Sequence, residues 1–435
     1  MSLGSEDRFT PSERRGMPEY LADRRIVFAV AYLGYAVCYL VRNNLKLAAS
    51  PMAADLGIGT FEIGVLLSAF TVAYAPGKLL LGMAVDRLSM RGMLAGCVAA
   101  SAILCFCIPF LERFPHLLIA MTLLGFVQGA GSPAALGMIG TWYPNKTRAT
   151  AVTAWNTSQN LGAAILAVVA VLILDYLSGD WRLIFWIPAT ISAVVAVLLW
   201  RYGRDRPWQE GYPTLTALYG RAGIPRSDVA SKDSYWRLVF SAFTSSRVLL
   251  LLLLLNALMY FIRFGIINWM TIYLPHDKGF TLSQAQNIFA ALEFMAIPFV
   301  AVFAFLAWKF PSSMSVVGAV SMLAFSLTVL CYGFFDDAGA VSLAAAVLGG
   351  LIYAPQVIVN VLTLNLMPPR MIGAAVGFVG LSGYLLGELA ANLLVPLIAH
   401  YLGWGFVNFA MAGVGLIALW VYLALRPYER RAVIL

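Results

Sequence analysis

Charged residues are scarce in this chain. They make up 11% of its 435 residues, whereas a soluble globular domain carries about 25%. Hydrophobic residues make up 61%, and apolar runs of the roughly 20 residues that a membrane-spanning helix needs recur along almost the whole chain. This composition excludes a soluble protein, because no polar stretch between the runs is long enough to form a catalytic domain.

Histidine and cysteine are also few. The three histidines, His116, His276 and His400, fall at the ends of apolar runs, where placement in a loop explains them. The five cysteines lie inside apolar runs, where a reduced cysteine behaves as a small hydrophobic residue. Because no nucleophile–base pair and no cluster of metal ligands is visible, the sequence predicts no enzyme, no metal site and no cofactor.

The first 25 residues lack the short apolar core, followed by small residues, that marks a cleaved signal peptide. They are polar and carry five arginines, so we expect a retained cytoplasmic tail. The formal net charge of +8 is spread over short connecting segments. Membrane topology therefore explains the charge better than binding to nucleic acid does.

Apolar runs separated by polar breaks predict an all-α membrane protein with twelve transmembrane helices. Their approximate ranges are 26–48, 60–85, 92–111, 116–141, 148–176, 182–202, 246–273, 283–308, 313–334, 339–367, 371–400 and 404–425. The longest break separates six spans from six spans and predicts two pseudo-symmetric halves. The expected division is a tail at 1–25, a first half at 26–202, a cytoplasmic linker at 203–245, a second half at 246–425 and a tail at 426–435.

Basic residues collect in alternate connections between the predicted spans. If the N-terminal tail is cytoplasmic, the connections on its side hold most of them, including eight from Arg201 to Arg247. The connections on the other side hold only Arg113, Arg182 and Lys278. Since cytoplasmic loops carry an excess of lysine and arginine, we expect both termini in the cytoplasm of a multi-pass protein of the cell inner membrane.

The connection between the second and third spans contains a G-x-x-x-D-R-x-x-x-R pattern. It is formed by Gly82, Asp86, Arg87 and Arg91 and resembles a signature of the major facilitator superfamily. A carboxylate at this position can accept hydrogen bonds from the N-terminus of a neighbouring helix and hold the cytoplasmic side shut. Trp308 stands where the second half would carry the acid, so the predicted latch is asymmetric.

Two arginines interrupt apolar runs at corresponding places in the two halves. In "YLVRNN" Arg42 follows Tyr39 by three residues, and in "YFIRFG" Arg263 follows Tyr260 by three. Transporters built from repeats bind their substrates near the bilayer midplane, between the repeats. The repeated spacing therefore predicts that Arg42 and Arg263 face each other across a pseudo-two-fold axis.

Positive charge inside the predicted spans exceeds negative charge. A charge at the centre of a span costs roughly 2.5–3.5 kcal/mol on insertion scales and usually faces a partner or a cavity. The cations are Arg42, Lys46, Lys78 and Arg263, and the acids are Glu293 and Glu388. The excess predicts a bound anion. Arginine offers paired donors to phosphate or carboxylate, and two arginines match the charge of about −1.5 to −2 on a phosphate monoester.

Several segments carry a family resemblance across nearly the whole chain. They are "GYAVCYLVRNN", "AYAPGKLLLGMAVDR", "WNTSQNLG", "YFIRFGIINW", "PPRMIGAAVGFVGLSGYLLGE" and "RDRPWQEG". They resemble the organophosphate:phosphate antiporter family, which includes glycerol-3-phosphate and hexose-phosphate transporters and a related phosphosugar receptor. The resemblance implies that Arg42 and Arg263 bind phosphate, and that Tyr39, Tyr260, Lys78 and Tyr384 lie around them.

The chain departs from the glycerol-3-phosphate transporter of that family at charged positions. Gln159 stands where that transporter has a histidine, and it can form hydrogen bonds but cannot titrate. Asn43 replaces a lysine and Asn268 replaces an aspartate, which is consistent with the loss of one salt bridge. We therefore expect the organic part of the substrate to be read near Asn43 and Asn268.

Two lysines and two acids within the spans leave alternatives open. Lys46 either lines an outer vestibule or extends to the surface, and Lys78 either holds the solute or belongs to a helix-packing network. Glu293 either pairs with Lys46 or contacts substrate, and Glu388 stands where a small residue is usual in the family. Either acid can select a solute with a cationic end, such as a phosphorylated amine, or couple transport to protons.

These residues together predict a secondary transporter that imports a phosphorylated organic solute in exchange for inorganic phosphate. Arg42 and Arg263 would clamp the phosphoryl group, and their repulsion in the empty site would favour exchange over uniport. We expect the transporter to act in the bilayer as a monomer. The alternatives are a membrane receptor for a phosphosugar and a proton-coupled carrier of another organic anion.

Overall fold

The structure is a computed structural model that describes residues 17–177, 179–212, 246–310, 313–367 and 372–434. Helices and the turns between them account for all the secondary structure in these ranges. The helices are α1 (Met17–Arg42), α2 (Asn44–Leu56), α3 (Thr60–Arg87), α4 (Met90–Cys107), α5 (Phe114–Gln128), α6 (Gly131–Trp142), α7 (Asn145–Asn156), α8 (Ser158–Tyr176), α9 (Leu183–Tyr202), α10 (Arg247–Ile267), α11 (Met270–Lys278), α12 (Leu282–Lys309), α13 (Met314–Phe334), α14 (Ala338–Leu366), α15 (Ile372–Ser382), α16 (Leu389–Leu402) and α17 (Trp404–Ile434), with a 3₁₀ turn at Ile108–Phe110 and a π-helical turn at Gly383–Glu388.

Twelve stretches of these helices are long and apolar enough to cross a membrane, which confirms the predicted number. We number them as spans 1 to 12: Pro18–Leu56, Thr60–Val85, Met90–Phe110, Phe114–Trp142, Thr150–Tyr176, Leu183–Tyr202, Arg247–Ile267, Leu282–Leu306, Met314–Phe334, Ala338–Thr363, Gly377–Leu402 and Trp404–Arg430. The first and last helices reach further into polar sequence than the apolar runs do, because backbone hydrogen bonds hold a helix together beyond the bilayer as well as within it.

Spans 1 and 7 are both interrupted just after their arginines. Helix α1 ends at Arg42 and α2 begins at Asn44, so that Asn43 lies at the break. Helix α10 ends at Ile267 and α11 begins at Met270, so that Asn268 and Trp269 lie at the second break. Irregular backbone at membrane depth is tolerated where protein buries it. The Thr271 hydroxyl, after the second break, donates to the Lys46 carbonyl, after the first, so the two halves meet beside the breaks.

Close glycine contacts recur between corresponding spans of the two halves. A Cβ on Gly125 of span 4 would lie 2.2 Å from the Phe70 carbonyl oxygen of span 2. A Cβ on Gly349 of span 10 would lie 2.0 Å from the Leu292 carbonyl oxygen of span 8. Spans 8 and 10 are the counterparts of spans 2 and 4, so the packing repeats as the pseudo-symmetry requires.

The same correspondence holds for the spans that carry the arginines. A Cβ on Gly162 of span 5 would lie 2.0 Å from the Ala36 carbonyl oxygen of span 1. A Cβ on Gly387 of span 11 would lie 2.3 Å from the Ala257 carbonyl oxygen of span 7. These close approaches bring spans 5 and 11 against the two helices that hold Arg42 and Arg263.

We expect Gly349→Ala to lower the free energy of unfolding by about 1–3 kcal/mol, since the added methyl group overpacks the contact with Leu292. The matched control is Gly96→Ala, where a Cβ would meet nothing within 4 Å and alanine only raises helix propensity. Thermal unfolding of the purified variants in detergent measures the difference. Equal melting temperatures of the two variants would contradict this packing.

The halves meet toward one end of the bundle, which we call the opposite face because it lies away from Met17. There the Ser283 hydroxyl donates to an Asp175 carboxylate oxygen at 2.8 Å, and Gln286 Nε2 donates to the Leu47 carbonyl at 3.0 Å. A Cβ on Gly64 of span 2 would lie 2.4 Å from a backbone carbonyl of span 11. Helices from both halves are thus closely packed at the opposite face.

The other end of the bundle, the terminal face, carries Met17 and the start of the connection at 203–212. An Asp205 carboxylate oxygen accepts the Met90 N–H at 2.9 Å and also the Ser89 hydroxyl, which caps α4. Tyr212 donates to Asp23 at 3.0 Å, and burial together with this contact raises the pKa of Tyr212 to about 12. Residues 203–212 therefore pack on the first half, and the rest of the predicted linker, 213–245, lies outside the described residues.

Candidate functional site

Arg42 is buried in an aromatic environment. Its guanidinium carbon lies 4.6 Å from the ring centre of Tyr74, 4.8 Å from that of Phe70 and 5.3 Å from that of Tyr39. Only 6% of the residue is exposed. Aromatic faces attract a guanidinium and hold it in place, but they accept none of its conventional hydrogen bonds. The predicted neighbour Tyr39 is thus present, and Tyr74 and Phe70 of span 2 are additional.

Arg263 is the corresponding residue of the second half and is also 6% exposed. Its guanidinium carbon lies 4.1 Å from the ring centre of Tyr353 and 5.3 Å from that of Phe264. Its Nη2 donates to Gln159 Oε1 at 3.4 Å. Because Gln159 belongs to span 5, Arg263 contacts the first half as well as its own.

Each guanidinium retains a buried nitrogen without a hydrogen-bond partner. These atoms are Nη2 of Arg42 and Nε of Arg263. The Glu388 carboxylate approaches Arg42 Nη2 at 3.8 Å, which is within ion-pair range but too long for a hydrogen bond. A buried donor left unpaired costs about 1–3 kcal/mol, and more when it is charged. An oxygen of a bound anion is the kind of acceptor that would satisfy either nitrogen.

Tyr384 of span 11 connects the surroundings of the two arginines. Its ring centre lies 5.0 Å from that of Tyr74 and 5.1 Å from that of Tyr260. Lys78 Nζ lies 5.5 Å from the Tyr384 ring centre. The structure therefore brings the predicted residues Tyr260, Tyr384 and Lys78 together at the interface between the halves.

The π-helical turn Gly383–Glu388 positions Tyr384 and Glu388. A Cβ on Gly383 would lie 2.7 Å from the Tyr260 ring, so glycine at this position lets span 11 pack closely on span 7. Tyr384 and Glu388 are 9% and 3% exposed. Single π-helical turns within α-helices occur frequently at functional sites, and this turn directs one aromatic and one acidic side chain into the interface.

Lys46 and Glu293 are both buried, but they do not form an ion pair with each other. The two Glu293 carboxylate oxygens accept hydrogen bonds from the Tyr353 hydroxyl at 2.7 Å and from Asn160 Nδ2 at 2.8 Å. Of the two alternatives left open for Glu293, the structure does not show the pairing with Lys46, because neutral donors from spans 5 and 10 bond both oxygens of this carboxylate. Lys46 is 5% exposed, with its Nζ 5.1 Å from the Phe264 ring centre, so it does not extend to the surface.

Asn43 and Asn268 lie in different surroundings. Asn43 is 2% exposed, and its Oδ1 has no hydrogen-bond partner. Asn268 Nδ2 donates to Asn392 Oδ1 at 2.6 Å, and Asn392 Nδ2 donates to Thr71 at 3.5 Å. Asn268 thus belongs to a chain of amides that links spans 7, 11 and 2. Its own amide nitrogen bonds within the second half, and the hydrogen bond from Asn392 to Thr71 reaches span 2 of the first half.

The structure describes the predicted latch only in part. A Cβ on Gly82 would lie 3.5 Å from the Pro133 side chain, and Arg91 Nη1 donates to the Gly203 carbonyl at 3.3 Å. The side chains of Asp86, Arg87 and Trp308 lie outside the described residues. Asp205 supplies the carboxylate at the N-terminus of α4, a role that the sequence reasoning assigned to no residue of the linker.

The sequence reasoning missed four polar or aromatic contributors to this site. They are Phe70, Tyr74, Asn160 and Tyr353. Tyrosines inside apolar runs, as in "VAYAPG" and "LIYAPQ", were the available signal, because a buried phenol usually finds a polar partner. The described residues contain no group of three or more histidine, cysteine, aspartate or glutamate side chains that could hold a metal ion.

A family model of the Major Facilitator Superfamily matches residues 31–391 of this chain. A glycerol-3-phosphate transporter of Bacillus subtilis is 28% identical over 394 residues, covering 88% of this chain and 88% of that protein. A hexose-6-phosphate:phosphate antiporter of Escherichia coli K12 is 27% identical over 426 residues, covering 91% of this chain and 89% of that protein.

The fold also resembles a solved transporter structure. The crystal structure of a D-xylose-proton symporter superposes with a TM-score of 0.73 at 14% sequence identity, covering 94% of this chain and 99% of that one. At this identity the likeness extends to the fold alone. The two proteins therefore share an overall fold.

Proposed function

The chain belongs to the major facilitator superfamily, and we propose that it exchanges a phosphorylated organic solute for inorganic phosphate by alternating access. The observation that carries this proposal is the pair Arg42 and Arg263. They come from the two halves, are each 6% exposed and each hold a buried nitrogen without a hydrogen-bond partner. The names of the two relatives, a glycerol-3-phosphate transporter and a hexose-6-phosphate:phosphate antiporter, support the same substrate class.

Phosphate suits this pair better than a monocarboxylate does. Its oxygens can accept from both guanidiniums at once, whereas a monocarboxylate has two oxygens and one charge for two cations. In the proposal Tyr39, Tyr260, Gln159 and Tyr384 surround the bound group, and Lys78 and Lys46 add positive potential. A water-poor site strengthens each of these electrostatic contacts.

The positions of the two arginines in different halves explain why the carrier would exchange anions. Arg42 and Arg263 belong to different halves, so repulsion between them opposes the approach of the halves when no anion is bound. A phosphate that contacts both removes this repulsion and joins the halves, which then close on the terminal face and separate at the opposite face. The carrier would therefore reorient faster when loaded than when empty.

We further propose that the terminal face lies in the cytoplasm of the cell inner membrane. The basic residues of the connections, including Arg91, Arg201 and Arg204, concentrate on that face, as expected for cytoplasmic loops. The predicted halves at 26–202 and 246–425 would move as units, joined by the linker at 203–245. We expect one chain to be sufficient for transport.

Purified protein in liposomes tests the proposal. We expect labelled phosphate to enter liposomes loaded with unlabelled phosphate at least about tenfold faster than liposomes loaded with sulfate. Glycerol 3-phosphate and hexose 6-phosphates serve as competing probes of the substrate class. A protonophore should leave the rate of exchange unchanged, because each phosphate that enters is exchanged for a phosphate that leaves and no proton gradient is needed.

Two outcomes would contradict the proposal. Uptake that a protonophore abolishes and internal phosphate does not stimulate would indicate a proton-coupled carrier of organic anions. Binding of phosphate without any flux in this purified system would indicate a receptor. In either case the paired arginines would still bind the anion, but exchange would not be the activity of the chain.

A further inference from the structure

The two buried acids of the site differ in how well the protein satisfies them. Both oxygens of Glu293 accept hydrogen bonds from protein groups, Tyr353 and Asn160. Glu388 is 3% exposed, its Oε1 lies 3.8 Å from Arg42 Nη2, and its buried Oε2 has no hydrogen-bond partner. Glu388 is therefore the acid of the site that can still accept a hydrogen bond from a ligand.

We propose that Glu388 binds an ammonium group of the substrate, and that the transported solute is a short zwitterion with a primary amine close to a phosphate or phosphonate. This inference rests on the proposed function and names the substrate class of the same site. The anionic end would lie between Arg42 and Arg263. The ammonium would donate to Oε2 of Glu388 in a charge-assisted hydrogen bond.

The position of Glu388 limits the length of such a solute. Because its carboxylate lies beside the Arg42 guanidinium, groups bound to these two side chains must be close neighbours in the solute. A carbon spacer of two or three atoms meets this requirement, whereas a phosphorylated hexose carries no cation at that distance. The nearby rings of Tyr74 and Tyr384 also favour an ammonium over a second anionic group.

The negative charge of Glu388 points in the same direction. Its Oε1 lies 3.8 Å from Arg42 Nη2, so an anionic group that binds Arg42 also lies near this carboxylate. An ammonium on the same solute offsets the repulsion between the two anionic groups, whereas a dianion without an ammonium does not, which penalises that competitor.

A purely structural role for Glu388 predicts a different geometry. A buried carboxylate that serves only to neutralise an arginine gains most from short, paired hydrogen bonds that satisfy both of its oxygens. The separation of 3.8 Å and the unpartnered Oε2 do not have this form. Arg42 Nη2 can still donate a hydrogen bond and Glu388 Oε2 can still accept one. A single ligand that carries both an anionic and a cationic group would satisfy both atoms.

The first test needs only the wild-type protein and a matched pair of probes. 2-Aminoethylphosphonate and propylphosphonate have the same chain length and differ by an ammonium in place of a methyl group. We measure how strongly each inhibits exchange of labelled phosphate, at a pH where both phosphonates are dianions. We expect 2-aminoethylphosphonate to inhibit at a concentration at least about tenfold lower than the concentration at which propylphosphonate inhibits. Equal inhibition by the two probes, with phosphate exchange intact, would overturn the inference while leaving the proposed function standing.

The second test assigns the preference to one acid. In Glu388→Gln the ratio of the two inhibition constants should fall to about one, whereas Glu293→Gln should keep the wild-type ratio, because its carboxylate already has protein donors. In Glu388→Asp the shorter side chain should shift the preference from 2-aminoethylphosphonate to 3-aminopropylphosphonate. A ratio that persists in Glu388→Gln, or one that is lost only in Glu293→Gln, would contradict the assignment. If wild-type protein exchanges no phosphate at all, the proposed function fails first.

Discussion

Replacing Arg42 or Arg263 by lysine is expected to lower phosphate exchange by about 100-fold or more, although the positive charge is kept. Lysine carries a compact ammonium in place of a planar fork, and its shorter reach withdraws the charge from the interface between the halves. A charge-assisted hydrogen bond contributes roughly 1.5–3 kcal/mol. Loss of two such bonds to a bound phosphate therefore accounts for a decrease of this size.

The surroundings of the arginines strengthen this expectation. Arg42 lies among the rings of Tyr39, Phe70 and Tyr74, and Arg263 lies against Tyr353. A guanidinium stacks on such rings with its edge free to donate, whereas a lysine ammonium cannot do both at once. Initial rates of labelled phosphate uptake into phosphate-loaded liposomes measure the effect in each variant.

The matched control is Arg182→Lys, a conservative change in an ion pair away from the site. Arg182 Nη2 lies 2.9 Å from Asp55 Oδ2 at the opposite face, and its side chain is 30% exposed. Exposed pairs of this kind contribute about 0–1 kcal/mol, so this variant should transport nearly as well as wild type. Thermal unfolding of all three variants separates loss of binding from loss of folding. Exchange within a few-fold of wild type in well-folded Arg42→Lys or Arg263→Lys protein would exclude the clamp.

Composition and repetition made the fold predictable. Apolar runs of membrane length are recognisable without knowledge of their neighbours, because the bilayer imposes the same requirement on each. The two Tyr-x-x-Arg segments also pointed to Arg42 and Arg263, which the structure buries at corresponding places in the two halves. The prediction about Arg42 and Arg263 therefore depended on the local sequence and on the repeat, and both can be recognised in a single sequence.

The partners of the acids could not be predicted in this way. Glu293 binds Tyr353 and Asn160, which lie on spans 10 and 5, and no local pattern states which faces of these spans meet. The sequence left Lys46 and the substrate open as partners of Glu293, and the protein instead supplies neutral donors to both of its oxygens. The pairing of Glu388 with Arg42 likewise depends on the π-helical turn, which rotates span 11 and has no distinctive sequence apart from its glycines.

The helix breaks were similarly hidden. Neither Asn43 nor Asn268 is a glycine or proline, so propensity does not predict an interruption at either position. Both asparagines stood out because the related transporter has charged residues there. The structure instead places them at the ends of helices, where Asn268 bonds Asn392 across the packing of spans 7 and 11. A change of residue type was visible in the sequence, but its structural context was not.

Replacing Gly64 by leucine is expected to lower exchange at least about tenfold by preventing closure of the opposite face. A Cβ at this position would lie 2.4 Å from the Asn392 carbonyl oxygen, 3.2 Å from the Trp269 ring and 3.3 Å from Pro396, all on the other half. A backbone carbonyl cannot move aside as a flexible side chain can, and overpacking of this kind costs about 1–3 kcal/mol or more. That cost falls only on the state in which these spans touch. The variant should therefore populate the state that is open at the opposite face, and exchange, which needs both states, should slow.

The change of state can be measured apart from transport. Spin labels at Glu62 and His276, on different halves near the opposite face, should report a longer separation in Gly64→Leu than in the parent protein, both prepared without native cysteines. Gly96→Leu is the control, because a Cβ on Gly96 meets nothing within 4 Å and both states should accommodate it. Gly64→Leu should still bind added phosphate, because the substitution lies outside the arginine pair. This binding should be visible as slower labelling of the introduced cysteines or slower unfolding of the variant. An unchanged distance together with wild-type exchange would show that Gly64 is not part of the closing contact. A longer distance together with slowed exchange would instead show that the rate of transport depends on closure of this face. The leucine side chain at position 64 excludes the closed state but does not touch the phosphate site, so the slower exchange could not be due to weaker binding.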